Sequence, residues 1–173
     1  MLDAAKAGAV LFLAAVVQVA ILSSVEVLGG APDLVLVTLV AVALLRGAIV
    51  GAAAGFWAGL VLDTANLDTL GLTSLLLTLA GYWIGRYGET TGRDRAHAPF
   101  LSVAVVSVLY AFGALALHYM LGDAVSARRV LVEALLPGVL LNLLLTLPVY
   151  ALCRRLFRPV ERGDRAQEVR LLG

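Results

Sequence analysis

The stretch Gly47-Ala48-Ile49-Val50-Gly51-Ala52-Ala53-Ala54-Gly55-Phe56-Trp57-Ala58-Gly59-Leu60-Val61-Leu62-Asp63 decides how the rest of the chain is read. Glycine returns at every fourth position, and at 3.6 residues per turn the four glycines form one ridge that drifts about 40° per step. A helix surface without side chains lets another backbone come close. In lipid no hydrophobic effect acts between helices, so such close packing is what draws them together. Internal bundle packing is the first reading of Gly47, Gly51, Gly55 and Gly59; the wall of a cavity and the docking of a partner helix are its alternatives.

Immediately upstream, the apolar run Leu34–Leu45 ends at Arg46-Gly47. Either Leu34–Leu62 is one long helix with an arginine inside the bilayer, or the chain turns at Arg46-Gly47. A mid-membrane arginine costs about 2.5–3.5 kcal/mol on insertion scales, whereas at a turn its head reaches the headgroups. The turn makes the protein an all-α integral membrane protein of six spans, at about residues 7–23, 32–45, 47–62, 70–86, 99–121 and 134–152, followed by a basic tail over 154–173. With both termini cytoplasmic, Lys6, Arg46, Arg86, Arg93, Arg95, Arg154, Arg155, Arg158, Arg162, Arg165 and Arg170 lie inside, and only Arg128 and Arg129 outside. Five spans would divide the cations about 9 to 3, so the positive-inside rule favours six. Tyr82, Trp83, Tyr87 and Tyr150 fall near inner edges and Tyr119 near an outer one, as interfacial aromatics do.

Composition agrees. The 173 residues are 61% hydrophobic and 14% charged, with mean hydropathy +0.97, against roughly 45–50% and about 25% in soluble domains. A chain this short cannot bury so much apolar surface in one aqueous core. That excludes a soluble enzyme, a nucleic-acid reader and a disordered regulator. The single Cys153 forms no internal disulfide. The first run, interrupted by Gln18, is expected to stay in the protein, because no small-x-small cleavage site follows it.

Few polar residues interrupt the spans. Pro32-Asp33 opens the second: proline favours a first turn and an acid favours a helix N-terminus, so Asp33 is expected to cap. Asp63, followed by Asp68 and Gly71, stands at the same membrane face. Its carboxylate has three open roles, which are capping the next helix, holding a partner and binding a cation. Asn142 lies near mid-bilayer and is expected to seek a partner across helices; Pro148, further along, frees a carbonyl and is expected to kink its helix. The outer loop Gly122–Glu133 is read as solvated, with an interfacial helix as the alternative. His97 and His118 fall on opposite sides, Ser102 and Ser107 lack a buried acid to complete a triad, and no metal-binding or phosphate-binding motif is present. No cofactor or metal is expected. With no ionisable residue inside a span, a transport relay also lacks support.

The ordered set Pro32-Asp33-Leu34, Gly51, Gly55-Phe56, Gly59-Leu60, Asp63, Leu70-Gly71, Asn142 and Pro148 resembles the bacterial rod-shape-determining MreD family, as do the length, the span count and the basic C-terminus. The resemblance covers almost the whole chain and is most specific over about residues 32–71. It implies a non-enzymatic inner-membrane subunit of the cell-elongation machinery. The implied partners are MreC, the glycosyltransferase RodA with its class B penicillin-binding protein, and MreB filaments. It also implies a six-helix fold similar to the substrate-binding subunits of energy-coupling-factor vitamin transporters. A substrate-capture subunit is therefore the runner-up. Capture needs a polar-lined pocket near the outer face, whereas a scaffold needs a surface at lipid depth that fits another protein's helix; the Gly51–Gly59 ridge suits the second, and the scaffold reading rests on it and on the lack of charge inside the spans.

Overall fold

The computed structural model describes residues 2–21, 30–67, 69–91, 97–122 and 135–157. Asp68, Arg93, Arg95, most of the outer loop with Arg128 and Arg129, and the tail beyond Phe157 lie outside the described residues. Six helices follow one another: α1 (Leu2–Ala20), α2 (Leu34–Arg46), α3 (Ala48–Asn66), α4 (Leu72–Thr91), α5 (Ala98–Leu121) and α6 (Leu135–Leu156). Among them α3, α5 and α6 are long and apolar enough to cross a membrane, and α1 contributes a shorter apolar segment. The protein is a helical membrane bundle, as its sequence implies.

The centre of the bundle is α2, which packs against all five other helices. Its sequence, Leu-Val-Leu-Val-Thr-Leu-Val, is rich in β-branched residues that favour strands. Away from water a single segment satisfies its backbone groups by itself only as a helix, and that constraint overrides the weak local preference. All ten residues from Val35 to Leu44 are buried, so α2 has no lipid-facing side. This explains how thirteen residues, about 20 Å long, serve in a bilayer core of about 30 Å: the helix sits sheltered inside the bundle.

The chain does turn at Arg46-Gly47. Arg46 is the last residue of α2, and Gly47 follows with φ 92°, a conformation suited to glycine, before α3 begins at Ala48. The Arg46 guanidinium lies 5.0 Å from the centre of the Phe157 ring and donates to the Phe157 carbonyl at 3.5 Å. It thereby ties the end of α6 to the α2–α3 turn, where Ala7, Ala41, Val42, Cys153 and Phe157 form one apolar cluster.

The most extensive helix pairing joins α3 to α4, and here the glycine ridge finds its place. A β-carbon on Gly51 would lie 2.5 Å from the Gly81 carbonyl oxygen and 2.8 Å from the Ala43 β-carbon. One on Gly55 would run into the Leu77 carbonyl, and one on Gly59 into the backbone of Ser74. The contact is reciprocal: a β-carbon on Gly81 would strike the Gly51 carbonyl, and one on Gly85 the Ala48 backbone. Two bare ridges thus press backbone against backbone. The outward face of α3, with Ile49, Phe56 and Trp57, stays exposed.

Because the opposing atoms are backbone and cannot swing aside, Gly55→Leu and Gly59→Leu are expected to destabilise the bundle by about 3 kcal/mol or more, at or above the top of the usual range for overpacking. Gly8→Ala, where a β-carbon meets nothing within 4 Å, should change stability by no more than about 1 kcal/mol. Unfolding in mixed micelles, followed by circular dichroism, separates the two cases.

Candidate functional site

Several polar side chains inside the bundle serve helix starts, because the first N–H groups of a helix have no partner within it. Asp63, 1% exposed, sits one turn before the end of α3 and reaches across to the start of α4. Its carboxylate accepts from the backbone N–H of Gly71 at 2.8 Å, of Thr73 at 3.2 Å and, at 3.5 Å, of Ser74. The Asp63 carbonyl also accepts from the N–H of Leu67, which adopts the left-handed conformation that ends α3. Gly71 has φ 95°, which lets the chain turn its N–H toward the carboxylate. Of the three roles open to Asp63 from sequence, the geometry places it as the cap of the next helix.

The opposite end of the same helix pair repeats the device. Glu89, near the end of α4, accepts from the Ala48 N–H at the start of α3 at 2.9 Å. A β-carbon on Gly47 would collide with that carboxylate. Each helix therefore ends in an acid that neutralises the positive start of its neighbour, a contact worth about 0.3–1 kcal/mol when exposed and up to about 2 when partly buried. The second Glu89 oxygen meets Arg86 Nη1 at 3.3 Å.

A third polar node holds the start of α2. Asp33 is its N-cap and accepts from the Leu36 N–H at 2.9 Å. Gln18 of α1 accepts from the Val35 N–H at 2.8 Å. Asn142 of α6 accepts from the Asp33 N–H at 2.7 Å and donates to Ser107 of α5 at 3.1 Å. Four helices are tied at one point, and the Asn142 amide has partners on two other helices. Pro32 lies one residue ahead of the cap rather than in the first turn. Pro148 stands inside α6, on its exposed side, and the helix continues to Leu156.

The predicted residues thus fall into separate groups. Gly51, Gly55, Gly59, Asp63 and Gly71 join α3 to α4; Gly47, expected as the first step of the ridge, stands instead in the turn ahead of α3, against the Glu89 side chain; Pro32, Asp33 and Asn142 belong to the α2 node, and Pro148 to none of these. Gln18, Ser107, Glu89, Gly81 and Gly85 were not singled out from sequence. For the last two a signal was present, since Gly81-Tyr-Trp-Ile-Gly85 is itself a small-xxx-small pattern. Among the described residues no group of three or more potential metal ligands occurs. The cavity described, of about 470 Å³, runs between α4 and α5 and is lined almost wholly by apolar side chains such as Leu76, Leu79, Leu101 and Val105.

These features define a multi-helix membrane protein whose interior polar groups fasten helices to one another. The chain matches the family model described as rod shape-determining protein MreD over residues 6–156, and it belongs to that family. No curated protein and no solved structure matches it.

Asn142→Ala leaves the Asp33 N–H without its acceptor and the Ser107 hydroxyl without its donor, and is expected to cost about 1–3 kcal/mol. Asp63→Ala should cost about 1–2 kcal/mol through loss of the cap, and Asp63→Asn, which still offers an acceptor, about half as much or less. Unfolding free energies of the three variants in detergent check both statements.

Proposed function

We propose that this chain is a non-enzymatic subunit of the bacterial cell-elongation complex in the inner membrane, with both termini cytoplasmic. In this reading it scaffolds MreC and, directly or through it, the peptidoglycan synthases RodA and a class B penicillin-binding protein, with MreB filaments on the cytoplasmic side. The observation that carries the reading is the family match over residues 6–156. The polar side chains support it, because Asp33, Asp63, Glu89 and Asn142 are all engaged with helix backbone rather than converging on a reacting group. The glycine ridge is occupied by α4, so partner contact falls to other surfaces of the bundle. Capture of a small polar metabolite, the runner-up from sequence, asks for a polar pocket near the outer face; the cavity between α4 and α5 is apolar and opens sideways.

Affinity purification in mild detergent, with mass spectrometry of the membrane proteins that follow, tests the proposal. Recovery of MreC with the wild-type chain is the expected outcome. Recovery of a transporter ATPase module in its place, or a rise of several degrees in melting temperature with a micromolar vitamin, overturns it.

A further inference from the structure

With α4 seated on the glycine ridge, α3 turns its opposite side to the membrane. Ile49, Phe56 and Trp57 are 84%, 46% and 65% exposed, and Ala53 between them is exposed as well. Ile49, Ala53 and Trp57 follow one another a turn apart, so the short alanine leaves a notch between two large side chains. Trp57 is the middle residue of α3, about 14 Å from either end. In a hydrocarbon core of about 30 Å its indole lies near the centre. Tryptophan collects instead at the headgroups, where its N–H finds an acceptor. The other tryptophan follows that rule: Trp83 stands between Gly81 and Gly85, which face Gly51 and Ala48 at the inner end of α3. Trp57 packs edge-on against Phe56, ring centres 5.9 Å apart, and its N–H has no acceptor among the described residues. Lipid chains offer none.

We propose that the outward face of α3 is a docking site for a membrane-spanning helix of another protein, which crosses at Ala53 and presents a Ser, Thr, Asn or Gln side chain to the Trp57 N–H. Hydrogen bonding decides the occupant. Acyl chains cover the face but leave the donor unmatched. A second copy does the same, because two copies of one topology are related by a two-fold axis along the membrane normal and equal residues meet at equal depth. Trp57 would then face its own counterpart, with only Ile49, Ala53, Phe56 and Leu60 around it. A small residue for close approach and a polar group for a cross-helix bond are the two devices by which spanning helices associate, and this face holds one of each. The inference deepens the elongation-complex reading and rests on it for the partner, MreC.

MreC carrying a fluorophore is titrated with the protein in mild detergent. Trp57→Phe keeps a ring and removes the N–H, and is expected to weaken binding by about three- to tenfold, the effect of one hydrogen bond between helices in lipid. Trp83→Phe, the same change at headgroup level, should leave binding unchanged, and Ala53→Leu, which fills the notch, should weaken it at least as much as Trp57→Phe. Each Ser, Thr, Asn and Gln in the spanning part of MreC is then changed to Ala. One of these variants should lose affinity for the wild-type chain and lose nothing further with Trp57→Phe. Both Trp57 and Ala53 face outward, so their variants should unfold at the wild-type midpoint, which separates docking from folding. Undiminished binding by Trp57→Phe, or a loss with no coupled position in MreC, overturns the surface and leaves the elongation-complex reading in place. Failure of the wild-type chain to bind MreC overturns both. Energy transfer between differently labelled copies of the chain that Trp57→Phe abolishes gives the face to a second copy, and overturns the inference as well.

Discussion

The contact on which the bundle depends is the direct approach of two helix backbones, α3 and α4, along facing rows of glycine. In water such a pair is held by the apolar side chains it removes from solvent. In lipid that driving force is missing, and van der Waals contact over a bare surface takes its place. The rows are matched closely enough that a β-carbon on either side meets backbone on the other. The two carboxylates then fix the register: Asp63 holds the start of α4 and Glu89 the start of α3. A slide by one residue would loosen both caps as well as the glycine fit.

The second constraint is the short central helix. Like those of any helix, its first N–H groups have no partner within it. Gln18 from α1, Asp33 from the helix itself and Asn142 from α6 supply the acceptors. A buried polar network of this kind is favourable only when each member is satisfied, and here the amide of Asn142 uses both its oxygen and its nitrogen, the latter on Ser107. The same hydrogen bonds that complete the helix also set the positions of α1, α5 and α6 around it.

Much of this was legible in the sequence, though unevenly. The six helices follow from apolar run lengths and from the cost of an arginine at depth, and the break at Gly47 is where that argument puts it. The glycine ridge was visible because its period is that of a helix face. Its mate was not, since a periodic surface does not say which neighbour it meets, and Gly81 and Gly85 make a single step of the pattern rather than a run of four. Asp33 was readable as a cap because its helix begins at the next residue. Asp63 was left open among three roles, because the N–H groups it holds lie eight to eleven residues further on, across a turn. Gln18 and Glu89 resembled incidental polar residues, and only the tertiary arrangement brings backbone donors to them. The family could be suspected from the order of these residues alone, and the match over residues 6–156 carries that suspicion to membership.

The exchange of caps between α3 and α4 bears on biogenesis. Asp63 is a carboxylate at the far end of the first of these helices, and the donors that make its burial tolerable belong to the second. Conversely, α3 begins at backbone groups completed by an acid that is synthesised some forty residues later. Neither helix is finished by itself, and only as a hairpin does the carboxylate leave water in the company of its donors.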